Sequence, residues 1–156
     1  MSTIAVTATR NVRPVEPRIH QAFHVIAAQG LVDRVVVGAC RGGDCQAAQV
    51  AKAEGFSVHT VIPGDRSQLC DHWKVFLAAP DEDTRPAPHT DSYEAMPPEK
   101  GSIAYRHRNE RMVELSDAGL IAFPDRTEQQ AYSGVTMTIN IARRVGKPVQ
   151  SVILHE

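Results

Sequence analysis

Apolar and polar positions along the 156 residues fall into short blocks of two alternating kinds. Thr3–Thr7 (TIAVT), Arg34–Val37 (RVVV), Ser57–Ile62 (SVHTVI), Gly119–Phe123 (GLIAF) and Val149–Leu154 are apolar nearly throughout and rich in β-branched residues, which predicts strands. Between them, apolar residues recur every three to four positions. That spacing predicts helices over Arg18–Gln29, Asp44–Glu54, Gln68–Ala79, Ser102–Leu115 and Gly134–Val145. Gly30 and Gly55 supply stops after the first two. Strands without a polar side are buried on both faces, so their alternation with helices predicts a parallel sheet covered on each side. Right-handed crossovers then give a single α/β domain of the doubly wound, Rossmann-like type spanning residues 1–156.

One stretch breaks the rhythm. Pro80–Gly101 holds five of the ten prolines, and six acidic residues against Arg85 and Lys100. No packed element suits that composition, so a long flexible flap over 80–101 is expected. Trp73, the only tryptophan, lies near it with His72 and Tyr93. Either an aromatic here stacks on a bound base, or Trp73 anchors the flap to the core.

Composition narrows the partners. The net charge of -1 provides no global basic field for nucleic acid or an anionic membrane. No apolar run reaches the roughly 18 residues of a membrane span, and Met1–Val6 read as the start of a strand and not as a leader. A cytoplasmic protein is the expectation. Cys40, Cys45, Cys70 and His72 lack the close ligand spacing of common zinc sites, so neither a metal site nor a cofactor is expected. Arginine outnumbers lysine 13 to 4. Genome composition explains such a bias, and so does a demand for guanidinium forks that grip phosphate.

In doubly wound sheets ligands bind beyond the carboxyl ends of the strands. That directs attention to three loops: Ala8–Arg13 with Thr9 and Arg10, Gly38–Asp44, and Pro124–Gly134. The loop Gly38-Ala39-Cys40-Arg41-Gly42-Gly43-Asp44 precedes a helix, so its glycines permit close backbone approach to an anion and Asp44 suits an N-cap. It is neither a dinucleotide fingerprint nor a Walker A loop. Ser133, Gly134 and Thr136 stand at a second helix start suited to phosphate, or simply to capping. Arg108 and Arg111 share one face of the preceding helix, either as a solvated basic face or with one arginine reaching the site.

The stretches GACRGGD, RNERMVELSDAGLIAFP and SGVTMTINIARRVGKPV, in that order, resemble the SLOG superfamily. This superfamily includes Lonely-guy phosphoribohydrolases, DNA-processing A proteins and small stand-alone predicted nucleotide sensors, the last being the closest likeness. The resemblance leaves mainly residues 68–101 uncovered. It implies a homodimer and a nucleotide-like ligand held by Thr9, Arg10, Gly38, Arg41, Gly42, Asp44, Arg108, Asn109, Ser133, Gly134 and Thr136. In that arrangement Arg41 and Arg108 are phosphate donors.

Departures from the pattern bear on catalysis. Asn109 stands where Lonely-guy enzymes carry a lysine, and Thr138 where they carry the glutamate that acts on the ribosyl centre. Glycosidic cleavage requires a carboxylate there. Asp44 and Asp125 are the nearest substitutes by sequence, Asp125 with no evident partner. The expectation is therefore a sensor, carrier or sequestering protein for a nucleotide. The alternatives are an N-glycosidase of nucleoside monophosphates, a deoxyribosyltransferase-like enzyme and, less favoured by charge, a DNA-binding module.

Overall fold

Five of the apolar blocks form strands, and a sixth strand arises where none is predicted. The computed structural model describes residues 2–79, 86–126 and 134–155. Its strands are β1 (Thr3–Ala8), β2 (Arg34–Gly38), β3 (Ser57–Ile62), β4 (Ser92–Ala95), β5 (Gly119–Phe123) and β6 (Val149–Ser151). The helices are α1 (Pro17–Gln29), α2 (Gly43–Ala53), α3 (Asp71–Ala78), α4 (Ser102–Leu115) and α5 (Gly134–Arg144). All strand pairs are parallel, in the order β4-β3-β2-β1-β5-β6. The α/β, Rossmann-like expectation holds.

The two-residue period of the strands divides the core between the two faces of the sheet. On one face Val6, Val35, Val37, Ile121 and Phe123 pack against Ile19, Phe23 and Ile26 of α1 and the small residues Ala47 and Ala51 of α2. On the other, Ala5, Val36, Val61, Leu120 and Ala122 meet Met112 and Val113 of α4 and Val135, Ile139 and Ala142 of α5. Trp73 belongs to a third cluster under α3. Its ring packs edge-on against Phe76 and Tyr93, so it serves as the anchor and not as a platform for a base.

Strand β4 corrects the expectation that Pro80–Gly101 lacks any packed element; residues 80–85 of that stretch lie outside the described residues. Acidic side chains of this stretch are used in pairing. Asp91 accepts from Lys52 Nζ at 2.6 Å and from the Val58 amide at 2.8 Å, which starts the register His59↔Ser92. Glu94 accepts from Arg111 Nε at 3.0 Å.

The end of this segment is tied to Asp65. That carboxylate accepts from the Ser67 hydroxyl at 2.7 Å and the Gly101 amide at 2.8 Å. The Ser67 bond, followed by the Gly101 bond, lowers its pKa to about 2. A depressed carboxyl contributes stability above its unfolded pKa, near 4, and loses it as pH falls through the folded value. An NMR titration should therefore place the Asp65 midpoint about two units below that of a free aspartate. A midpoint near 4 would show that the clasp does not form.

The order of the strands fixes where a ligand fits. From β1 the chain builds outward through β2, β3 and β4, then crosses to β5 and β6 on the other side. The loops after β1 and β5 thus diverge, opening a crevice at the carboxyl end of the sheet.

Candidate ligand-binding site

Backbone contacts draw the strand-end loops together. The Thr9 amide donates to Phe123 O at 3.0 Å, and the Gly43 amide donates to Thr9 O at 2.9 Å. Thr9 Oγ1 accepts from the Asn11 amide. Gly42 has φ +87°, and a Cβ there would lie 2.5 Å from Arg10 O, so only glycine lets the β1 and β2 loops approach this closely. Gly42 also holds the N-cap position of α2, without a side-chain cap bond. Asp44 is therefore not the cap expected from the sequence. It turns inward.

Inward of Gly42, Asp44 meets Arg108 of α4, with Oδ2 and NH1 3.6 Å apart and both side chains only 8% exposed. Gly38 makes room for the pair, since a Cβ there would sit 2.3 Å from Arg108 NH1 and 2.5 Å from Asp44 Oδ2. Arg108 also donates to Asn109 Oδ1 at 2.8 Å and to Cys40 Sγ at 3.6 Å. Burial pushes the Asp44 carboxyl up, against the pull of Arg108 and the amides of Cys40 and Ala8. Burial likewise raises the Cys40 thiol. Arg108 stays protonated, because Cys40 and Asp44 outweigh the burial that opposes its charge.

Tyr105, one helical turn before Arg108, completes this corner. The Arg10 guanidinium lies 5.2 Å from the centre of its ring and that of Arg108 5.8 Å, both within cation–π range. The Tyr105 hydroxyl is buried and has no hydrogen-bond partner among the described residues. Two guanidinium groups against the Asp44 carboxylate leave the corner net positive. The i, i+3 relation to Arg108 is the sequence signal that marks Tyr105.

The remaining expected residues divide. Gly134 is exposed at the start of α5, with nothing within 4 Å of a Cβ built on it, and Thr136 is half-buried in the same turn. Ser133 lies outside the described residues. Asn109 is buried and donates to Met137 Sδ of α5 at 3.5 Å. Arg41 is exposed, and with Gly42 it lines a second cleft of about 620 Å³ between α2 and α3. Cys45 and Cys70 also line that cleft, and their shared hydrogen bond holds Cys70 below the ordinary thiol range and Cys45 above it.

The carboxylates at this end of the sheet are engaged. Asp125 accepts from Asn11 Nδ2 at 2.9 Å and lies 3.4 Å from His155 Nε2, so it has partners that the sequence did not reveal. Glu16 is fully buried; hydrogen bonds from Arg13 overcome burial and hold it below its usual value. At the first turn of α5, Thr138 donates to Gly134 O at 2.7 Å and accepts from Thr7 at 3.4 Å. Its hydroxyl is occupied, and it is not an acid.

Known structures share this architecture. A molybdenum cofactor binding protein from the phototrophic bacterium Rippkaea orientalis is similar at 17% identity and a TM-score of 0.65, covering 97% of this chain and 76% of that one. DNA processing protein A from Streptococcus pneumoniae is similar at 19% identity and a TM-score of 0.66, and this chain spans half its length. The Helicobacter pylori protein, described for its single-stranded DNA binding mode, aligns at 16% identity and a TM-score of 0.61, over 96% of this chain and 64% of that one. No known family profile matches the sequence, nor does any curated protein. These likenesses show the fold that the resemblance implies, and no more.

Proposed function

We propose that this SLOG-type chain binds a nucleotide or nucleotide-derived small molecule at the carboxyl ends of β1, β2 and β5, and holds it without breaking its glycosidic bond. The observation that carries this reading is Tyr105, whose hydroxyl is buried without a partner among the described residues and whose ring lies against the guanidinium groups of Arg10 and Arg108. A buried phenol lacking a partner costs free energy, and an anionic oxygen would accept its hydrogen bond. The net positive corner adds Coulombic attraction for that anion, and the amides at the start of α5 offer a second contact. Arg108 then acts from within, through the corner's charge, while the exposed Arg10 grips directly. A neighbour described as a molybdenum cofactor binding protein supports a small-molecule ligand. A homodimer goes with this reading, and sedimentation of the purified chain tests it.

Glycosidic cleavage is the weaker reading because Thr138 stands at the first turn of α5 and the nearby carboxylates are engaged. Single-stranded DNA binding, suggested by the DNA-processing neighbours, would show affinity falling linearly with the logarithm of salt concentration.

The phenol supplies the discriminating variant. Tyr105→Phe should leave the melting temperature unchanged or slightly higher, because it removes an unsatisfied group. It should weaken binding of nucleoside 5′-monophosphates about fivefold, the worth of one hydrogen bond near 1 kcal/mol. Calorimetric titration of wild type and variant measures this. Equal affinities would remove Tyr105 from the site.

A further inference from the structure

The second cleft gathers side chains that the ligand reading leaves unused. One ligand atom each from Cys45, His72 and His89 lies within 4.8 Å of the other two. Cys70, at the N-cap of α3, lines the same cleft as Cys45 and His72. These four come from separate places: the first turn of α2, the N-cap and first turn of α3, and the segment entering β4. We propose that Cys45, Cys70, His72 and His89 form a structural zinc site that ties α2, α3 and the β4 edge together.

Two further observations support convergence. Gln49 Nε2 lies 3.8 Å from Cys45 Sγ and 3.2 Å from a ring nitrogen of His89. An amide NH2 only donates, so both atoms turn acceptor lone pairs toward one point, as ligands of a cation do. His89 also has φ +52°, the one positive value of a non-glycine residue among the described residues. That conformation is uncommon for a side-chain-bearing residue and is held by the contacts of Asp91 with β3 two residues later.

Two thiolates and two imidazoles are a standard tetrahedral zinc donor set, and structural sites leave no open position. Ligand atoms in such a set are roughly 3.3–3.8 Å apart, so Cys45, His72 and His89 must close by about 1 Å and the Cys70 side chain must turn in to join them. The exposed His72 and Gln49 are free to move that far, with Gln49 leaving the centre. On binding, the thiol protons pass to solvent, and the thiolates cancel the charge of the dication. That cancellation matters because Arg41 and Lys74 line the same cleft with Asp71. Spacing along the chain concealed the set: Cys40, which sequence places beside Cys45, points instead to Arg108, and His89 comes from the stretch read as a flap.

The proposal is independent of the nucleotide reading, and its test uses the full, tag-free chain with thiols kept reduced. Zinc(II) is titrated against a chromophoric chelator, and cobalt(II) serves as the spectroscopic probe. The expected result is one zinc per chain, a tetrahedral cobalt spectrum with a thiolate charge-transfer band, and a higher melting temperature with zinc. Cys45→Ser, Cys70→Ser, His72→Asn and His89→Asn should each weaken zinc at least about tenfold, since even outer-shell changes cost that much. His20→Asn, exposed on α1, should not. His72 is exposed, so its variant keeps the test open if a cysteine variant fails to fold. No zinc bound at micromolar concentration, a six-coordinate cobalt spectrum, or undiminished binding by the histidine variants would overturn the site.

Discussion

Arg108→Met should destabilise the fold by about 3–5 kcal/mol, the cost of leaving a buried charge without its partner. The pair with Asp44 is 8% exposed on both sides, so solvent cannot take over the role of the guanidinium. Urea unfolding would measure the loss. Arg108→Met/Asp44→Asn should recover most of it, because removing both charges removes the desolvation penalty along with the attraction. Burial already pushes the Asp44 carboxyl up, and without Arg108 the rise is larger. A raised carboxyl makes the folded state bind protons more readily than the unfolded one, so stability falls as pH rises through the folded pKa. The deficit of the single variant should accordingly be greatest above neutrality and shrink on acidification. A single variant as stable as wild type would show that the pair is not buried as described.

Gly42→Ala should cost roughly 2–5 kcal/mol, combining backbone strain with overpacking. At φ +87° a side chain is strained wherever it points, and here its Cβ meets three backbone atoms of Arg10 within 2.8 Å. Backbone cannot swing aside as a flexible side chain can. The β1 loop must move outward, taking Arg10 away from Tyr105 and breaking the bond from the Gly43 amide to Thr9 O. Nucleotide binding should fall with stability. Gly134→Ala is the control: its Cβ enters open space, so unfolding should shift by less than about 0.5 kcal/mol. Equal midpoints for the two variants would mean that the loops do not meet at Gly42.

These contrasts show which features the sequence carried. Strands β1, β2, β3 and β5 were legible because burial on both faces leaves them rich in apolar and β-branched residues. Strand β4 was not: Ser92–Ala95 is a mostly exposed edge strand, held by pairing of Asp91 and Glu94 that composition cannot reveal. At the site, Arg108 and Asp44 were both singled out, yet as separate ligand contacts. Their pairing depends on Gly38 admitting a helix from the opposite side of the chain, which no local pattern encodes. The resemblance implies Arg41 and Arg108 as two phosphate donors to one ligand. The turn at Gly42 places Arg41 instead in the neighbouring cleft.

The proposed site stands or falls with retention of an intact nucleotide. Equilibrium dialysis against AMP or UMP labelled in the base, followed by chromatography of the bound label, tests it in one measurement. Saturable retention of one intact nucleotide per site is expected, abolished in Tyr105→Ala and unaffected by His20→Asn. Absence of saturable retention for nucleoside monophosphates would contradict the site. Label recovered as free base, above a protein-free control and lost in Tyr105→Ala, would make the chain a glycosidase.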